Sequence, residues 1–143
     1  MSLGLYLHIP YCFSKCRYCD FYSHPGERGV PDAYVEALLR ELSRFAPEVP
    51  LQPDTLYFGG GTPSLLRPEQ AKQLIDAARP MPGAEITLEA NPETVTEESL
   101  AGFREAGVNR ISFGVQSARD TQLRTLGRPH TAKQARAAFA AAR

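Results

Sequence analysis

Strand-forming and helix-forming segments alternate along this chain, and that alternation constrains its fold more than any other feature. Four short apolar segments, rich in β-branched and aromatic residues, are each followed by a stretch with helical periodicity. The four strand candidates span residues 3–9, 55–58, 85–90 and 110–115. Alternation of this kind predicts a parallel sheet with right-handed crossover connections.

Local signals mark where the helices begin and end. Proline followed by an acidic residue predicts the start of the first two helices, at 31–32 and 68–69. Thr96 is the predicted N-cap of the third helix, and Gly107 is predicted to end it. A last helix is predicted to begin near residue 131 and to be still running at Arg143.

Four βα units in 143 residues are consistent with one domain, which is either an open α/β sheet or half of a barrel. The second is favoured, because the last predicted helix reaches Arg143 without a cap, a glycine or a proline. We therefore expect residues 1–143 to be the N-terminal portion of a longer protein, with the remaining barrel and a C-terminal domain absent.

Charge and hydropathy exclude several kinds of partner. Sixteen basic and sixteen acidic residues give a net charge of zero, so there is no electrostatic case for nucleic acid. No apolar run approaches the roughly 18 residues that span a bilayer, and the N-terminus lacks the features of a secretory signal. We predict a cytoplasmic protein with no nucleic-acid partner and no integral membrane segment.

All three cysteines, Cys12, Cys16 and Cys19, lie within eight residues directly after the first predicted strand. An odd, clustered set is unlike a disulfide framework and fits a reducing cytosol. Three thiolates on one loop form a soft-ligand site, suited to an iron–sulfur cluster with one open iron or to a zinc ion short of one ligand. His24 is the candidate fourth ligand for zinc.

Other polar residues follow the remaining predicted strands. In parallel α/β folds, ligands bind where the carboxyl ends of the strands meet the following loops. The second strand ends in a glycine loop, 59–63, whose backbone can approach a ligand closely because it lacks Cβ atoms. The third and fourth strands lead into Glu89, Asn91, Gln116, Arg128 and His130. Convergence at one edge favours a binding site, although each residue alone has a structural explanation.

Taken together, these motifs resemble a known family. The loop Cys12-Phe-Ser-Lys-Cys16-Arg-Tyr-Cys19 is similar to the Cys-x3-Cys-x-aromatic-Cys loop of radical S-adenosylmethionine (radical SAM) proteins. Further motifs resemble those of the oxygen-independent coproporphyrinogen III oxidase family, which includes a haem-chaperone branch. These motifs are YLHIPYC, FGGGTP, LEANP, FGVQ and GRPH. The resemblance implies an α/β fold made of the N-terminal four βα units of a radical SAM partial (β/α)6 TIM-like barrel.

The resemblance also implies a set of cofactors. Cys12, Cys16 and Cys19 would hold a [4Fe–4S] cluster, whose open iron would bind the amino and carboxylate groups of S-adenosyl-L-methionine (SAM). In the family, one electron from the cluster cleaves SAM to methionine and a 5′-deoxyadenosyl radical. The residues that the resemblance assigns to SAM are Tyr6, Tyr18, Gly60, Gly61, Thr62, Glu89, Gln116 and Arg128.

Each of those residues has an expected contact. Arg128 would pair with the carboxylate of SAM and Glu89 with its ammonium, because a zwitterionic ligand needs charge-assisted donors and acceptors. The glycines and threonine at 60–62 would contact the methionyl part, and Gln116 the ribose. Tyr18, in the cysteine loop, would lie near the adenine. Tyr6, on the first predicted strand, would lie against the bound SAM.

Phe21 separates the two branches of the family. Oxidases carry a further cysteine at this position, two residues after the third cysteine, whereas phenylalanine is typical of the haem-chaperone branch. That branch implies haem as a ligand, with recipient haemoproteins and an electron donor as partners. The alternatives are an oxidase of porphyrin biosynthesis, which leaves open whether the protein is an enzyme, and a zinc-stapled structural module.

Overall fold

The computed structural model describes residues 2–45 and 52–143. Within these residues the strands are β1 (Gly4–Ile9), β2 (Tyr11–Cys12), β3 (His24–Pro25), β4 (Thr55–Gly60), β5 (Glu85–Ala90) and β6 (Arg110–Phe113). The helices are α1 (Asp32–Phe45), α2 (Pro68–Ala78), α3 (Glu97–Ala106), α4 (Asp120–Leu126) and α5 (Ala132–Ala141). None of these helices is both long and apolar enough to cross a membrane.

The four longer strands form one parallel sheet in the order β1-β4-β5-β6. Each new strand is added on the same side of the one before it, with Tyr6 beside Tyr57 and Glu89 beside Ser112. A barrel is built by this sequential addition, whereas an open doubly wound sheet reverses its order at a switch point. The predicted α/β class with four parallel barrel-type βα units is confirmed.

The hydrophobic core lies between one face of the sheet and the helices. Leu7, Phe58 and Leu88 reach it from three neighbouring strands, and Leu74 and Phe103 from α2 and α3. All five are at most 5% exposed, and burying each such side chain contributes about 1.5–3 kcal/mol. Because side chains alternate along a strand, the other face of the sheet presents polar and aromatic groups, among them Tyr6, Tyr57 and Glu89. The site is built at the end of that face.

The predicted helix boundaries hold where a specific cap determines them. Pro68 is the first residue of α2. The Thr96 side chain accepts a hydrogen bond from the Ser99 N–H at 3.1 Å, and Gly107 ends α3 with a φ of 115°. Thr131 caps α5 in the same way as Thr96 caps α3.

Several elements differ from the prediction, and β4 runs on to Gly60 instead of ending at residue 58. β6 ends at Phe113 instead of residue 115, because the Val115 N–H donates to the Phe113 carbonyl at 3.0 Å and so turns the chain away from the sheet. The last helix ends at Ala141 instead of running on through Arg143. Helix α4 was not predicted, since it has only two turns and one buried residue, Leu123, which is too little for a periodic signal.

Candidate functional site

A pocket of about 590 Å³ lies at the carboxyl ends of the parallel strands. Ten of the predicted site residues line it: Cys12, Cys16, Tyr18, Cys19, Gly60, Gly61, Thr62, Glu89, Gln116 and Arg128. Tyr6 lies outside this lining, 54% exposed on the adjoining face of the sheet. Sequence motifs separated by more than a hundred residues therefore meet in one cavity.

The cysteine loop is held at its base and along its length. Its ends pair as the short parallel strands β2 and β3, where the His24 N–H donates to the Pro10 carbonyl at 2.7 Å. Within the loop, the Cys19 N–H donates to the Cys16 carbonyl at 3.2 Å. The Arg17 N–H donates to the carbonyl of Leu126, the last residue of α4. The unpredicted helix therefore supports the loop that carries the thiols.

The glycine loop lies directly against the cysteine loop. The Thr62 N–H donates to the Tyr11 carbonyl at 2.8 Å, and the Thr62 hydroxyl donates to Cys12 Sγ at 3.5 Å. A Cβ at Gly61 would lie 2.6 Å from the Tyr11 oxygen and 3.0 Å from Cys12 Sγ, so only glycine permits this approach. Gly60, with a φ of 116°, turns its backbone N–H toward Glu89.

Glu89 is oriented by two donors. The Tyr57 hydroxyl donates to Oε1 at 2.7 Å, and the Gly60 N–H donates to Oε2 at 3.2 Å. Burial first, and then the bond to Glu89, raise the pKa of Tyr57, so this hydroxyl stays protonated and remains a donor. Tyr6 stacks on Tyr57 with ring centroids 6.0 Å apart, and burial and the charge of Glu89 raise its pKa as well. Tyr6 thus borders the site by packing on a residue that holds Glu89.

Arg128 joins three separate segments at the back of the pocket. Its Nη1 donates to Cys16 Sγ at 3.2 Å, and its Nη2 donates to Asn91 Oδ1 and to the Gly114 carbonyl, both at 2.7 Å. Burial acts to lower the pKa of Arg128, but interactions with Cys16 and with Glu93 outweigh it and the pKa is raised. The guanidinium is therefore charged and only 8% exposed.

All three thiols of the cysteine loop share the lining of one cavity. In the part of the chain that the structure describes, no three His, Cys, Asp or Glu side chains gather closely enough to hold one metal ion. Cysteine thiolates are the ligands that iron–sulfur clusters take in proteins. Arg128 Nε is buried and no described residue accepts its hydrogen bond, which leaves one donor for an anionic group. His24 is exposed and its Nε2 lies 3.3 Å from the Tyr22 hydroxyl.

A family model, the radical SAM superfamily, matches residues 6–143. The chain belongs to the radical SAM superfamily. Among curated relatives, it is 46% identical over 142 residues to the heme chaperone HemW of Escherichia coli, covering 95% of this chain and 38% of that protein. It is 40% identical to the HemW of Bacillus subtilis, covering 96% of this chain and 38% of that protein. This radical SAM chain thus spans less than half the length of these relatives.

Solved structures of radical SAM proteins match the same chain. The coproporphyrinogen III oxidase HemN of Escherichia coli superposes with a TM-score of 0.87 at 30% identity, over 99% of this chain and 34% of that one. The cobalamin-dependent radical enzyme OxsB, with S-adenosylmethionine bound, has a TM-score of 0.64 at 19% identity and shares the fold. The predicted resemblance to the coproporphyrinogen III oxidase family and its chaperone branch is confirmed.

Three polar residues in or beside the pocket have contacts that the sequence does not predict. Asn91 was noted at the end of its strand, but its side chain links Arg128 to the Thr62 hydroxyl. Tyr57 was not singled out, although strand alternation places it on the same face as Tyr6. His130 follows the fourth strand in sequence, where no local signal predicts burial, and its side chain is completely buried.

Proposed function

We propose that this chain is the cofactor-binding part of a haem-chaperone-like radical SAM protein, which binds a [4Fe–4S] cluster, SAM and haem and delivers haem to haemoproteins. The observation that carries the proposal is the single pocket in which three thiols share the wall with Glu89 and Arg128. Identities of 40–46% to several proteins named heme chaperone HemW support the chaperone branch.

The roles of the pocket residues follow from their chemistry. Cys12, Cys16 and Cys19 would hold the cluster, which when bound supplies one electron for the cleavage of SAM. Arg128 and Glu89 place opposite charges in one cavity, which suits the carboxylate and the ammonium of an amino acid group. Arg128 uses one N–H of Nη1 and both of Nη2, so a second N–H of Nη1 and the N–H of Nε remain as donors for the SAM carboxylate.

The remaining predicted contacts fit the shape of the cavity. The glycines at 60–61 expose backbone that a methionyl group can approach, with the Thr62 hydroxyl beside them. Tyr18, 48% exposed at the wall, offers a ring face for adenine, and Gln116 an amide for the ribose. Tyr6 would contact SAM from the adjoining sheet face, next to Tyr57.

Phe21 supports the chaperone over the oxidase. It lines the pocket and is 68% exposed, where the oxidase branch would place another thiol. We propose haem, recipient haemoproteins and an electron donor as partners, in the cytoplasm. The net charge of zero supports the absence of nucleic acid from this set. The 38% coverage of HemW supports residues 1–143 as one portion of a radical SAM protein.

The deciding experiment incubates the full-length protein anaerobically with reductant, SAM and coproporphyrinogen III, and in parallel titrates it with haem. Stoichiometric haem binding without turnover supports the chaperone. Formation of protoporphyrinogen would instead support the oxidase, which the TM-score of 0.87 to HemN keeps as the second candidate. Cys19→Ser is the matched control, since it should abolish iron–sulfur absorption.

Metal analysis of the same protein tests the third alternative. A tetrahedral zinc site with no iron–sulfur absorption after anaerobic reconstitution would contradict the cluster and support a zinc-stapled structural module.

A further inference from the structure

We propose that His130, supported by Glu93, is a positioning residue that holds a strained turn at Gln116. In holding this turn, His130 directs the Gln116 side chain into the pocket. The inference rests on the proposed function, because Gln116 is expected to contact SAM. Neither His130 nor Glu93 lines the pocket, so both would act through the backbone.

The turn at Gln116 is unusual in its backbone. The Ser117 N–H donates to the Val115 carbonyl at 2.8 Å, which closes a three-residue turn with Gln116 at its centre. Gln116 has a φ of 67°, in the left-handed region that non-glycine residues avoid. A γ-turn of this hand is rare and strained, and it persists only where surrounding contacts enforce it. Something outside the turn must therefore hold it.

His130 provides that contact. Its Nε2 lies 3.1 Å from the Val115 carbonyl oxygen, which can only accept, so this nitrogen is the donor. Its Nδ1 lies 3.1 Å from Glu93 Oε2, and the Glu93 side chain is 14% exposed. With a completely buried ring between two fixed partners, His130 joins the loop after β5 to the loop after β6. A ring held from both sides cannot rotate away from the Val115 carbonyl.

Arg128, two residues before His130 in the same motif, holds the segment that leads into the turn. Arg128 Nη2 donates to the Gly114 carbonyl, one residue before the carbonyl that His130 holds. Gly114 lies so close to Asn91 that a Cβ there would be 2.8 Å from its Oδ1. The segment from Gly114 to Gln116 is thus fastened at two successive carbonyls. Release of either one frees the turn to relax to an unstrained conformation and redirect the glutamine.

The test compares His130→Ala and His130→Gln in the full-length, anaerobically reconstituted protein. The SAM dissociation constant and the hydrogen exchange of the Ser117 amide are measured for each variant. His130→Ala should weaken SAM binding about tenfold, the equivalent of one hydrogen bond, and speed Ser117 exchange. His130→Gln, which keeps an N–H donor, should restore most of both.

Two further variants distinguish an effect of His130 on the position of Gln116 from an effect on the stability of the fold. Gln116→Gly accepts a positive φ and lacks the side chain, so in this background His130→Ala should no longer change SAM affinity. An undiminished tenfold loss there would overturn the inference, as would unchanged Ser117 exchange in His130→Ala. Thr131→Ala removes the cap of α5 without touching the turn. It should lower stability but leave SAM affinity and Ser117 exchange unaltered, and a matching loss of affinity would assign His130 a structural role only.

Failure of the proposed function gives a different pattern. If the wild-type protein protects Ser117 but binds no SAM, the proposed cofactor site is wrong. The inference that His130 positions Gln116 toward SAM is then wrong as well. If the wild type binds SAM while Ser117 exchanges freely, the proposed function stands and only the inference about His130 is wrong.

Discussion

Glu89 receives its two hydrogen bonds from two residues of β4, Tyr57 and Gly60. Each carboxylate oxygen accepts one bond, which leaves further lone pairs directed at the pocket. A carboxylate oriented in advance loses less conformational entropy when it binds an ammonium group. The Tyr57 hydroxyl is therefore part of the site, although it does not line the pocket.

Tyr57→Phe should weaken SAM binding about fivefold while preserving the cluster. The lost bond to a charged acceptor is worth about 1 kcal/mol when water can partly replace it. Isothermal titration with SAM, together with the iron–sulfur absorption spectrum, measures both effects. Tyr22→Phe, at an exposed tyrosine whose hydroxyl lies near His24, is the matched control and should leave affinity unchanged. Equal affinities of wild type and Tyr57→Phe would contradict this role.

Gly61→Ala should prevent assembly of the cluster. The new Cβ would meet the Tyr11 carbonyl at 2.6 Å and Cys12 Sγ at 3.0 Å, so the two loops would have to separate. Iron and sulfide content after anaerobic reconstitution is the measurement. Gly29→Ala is the control, because its nearest neighbour would be the Leu65 oxygen at 3.9 Å, an ordinary contact. Iron and sulfide contents in Gly61→Ala equal to those of the wild type would contradict this prediction.

At the scale of elements, α4 connects the cysteine loop to the GRPH motif, residues 127–130, which directly follows this helix. Its last residue, Leu126, accepts from the Arg17 N–H, and Gly127 then reverses the chain in the left-handed conformation. That reversal brings Arg128 and His130 inward, where both are buried. A two-turn helix thus sets the positions of the loop with the thiols and of the residues behind them.

The start of α1 is joined to the start of α2 by Asp32. Its carboxylate accepts from Arg67 Nη2 at 2.6 Å and from Gln70 Nε2 at 2.8 Å, and these bonds lower its pKa below the usual 3.8. Gln70 also donates to the Val30 carbonyl from a buried position. The two helices begin side by side because one buried amide bridges them.

Acid should remove the contribution of Asp32 to stability. A lowered folded-state pKa means that the stabilisation is present above the unfolded value of about 3.9 and is lost as the pH falls through the lower folded value. The difference in urea midpoint between wild type and Asp32→Asn should be constant above about pH 5 and shrink below about pH 4. Because the carboxylate is exposed, the difference should be small and decrease in high salt. A difference that grows toward low pH would contradict this assignment.

At the scale of the whole molecule, the described sheet has two open edges. Within the described residues β1 and β6 pair on one side only, and Tyr6 is 54% exposed on the sheet face that it shares with Tyr57. In a closed barrel, both the edges and this face are covered. The 143 residues match HemN over 34% of its length, which is consistent with part of such a barrel.

Expressed as these 143 residues alone, the chain should self-associate. Unpaired strand edges and an uncovered interior face favour pairing with other copies. Sedimentation velocity over a range of concentrations should show species heavier than the 15.7 kDa monomer. A monomer that melts sharply and reversibly in a two-state transition would contradict this expectation.

Local signals predicted the elements well because their causes are local. The strand 85–90, the cap at Thr96 and the start of the last helix near residue 131 each depend on residues within a few positions of one another. The position of the cysteine loop at the end of the first strand also follows from chain order. The motifs also predicted ten residues that line the pocket, and most of these follow the carboxyl end of a strand.

The four long strands, the cap at Thr96 and the loop that carries the three thiols followed from the sequence, because hydrophobic periodicity, capping and thiolate chemistry act over short stretches of chain. Only the tertiary structure decided that Arg128 reaches Cys16, 112 positions away, and that a buried His130 holds the turn at Gln116. No local pattern specifies which side chain meets which carbonyl. That pairing depends on how the strands and α4 pack together, which is a property of the whole fold.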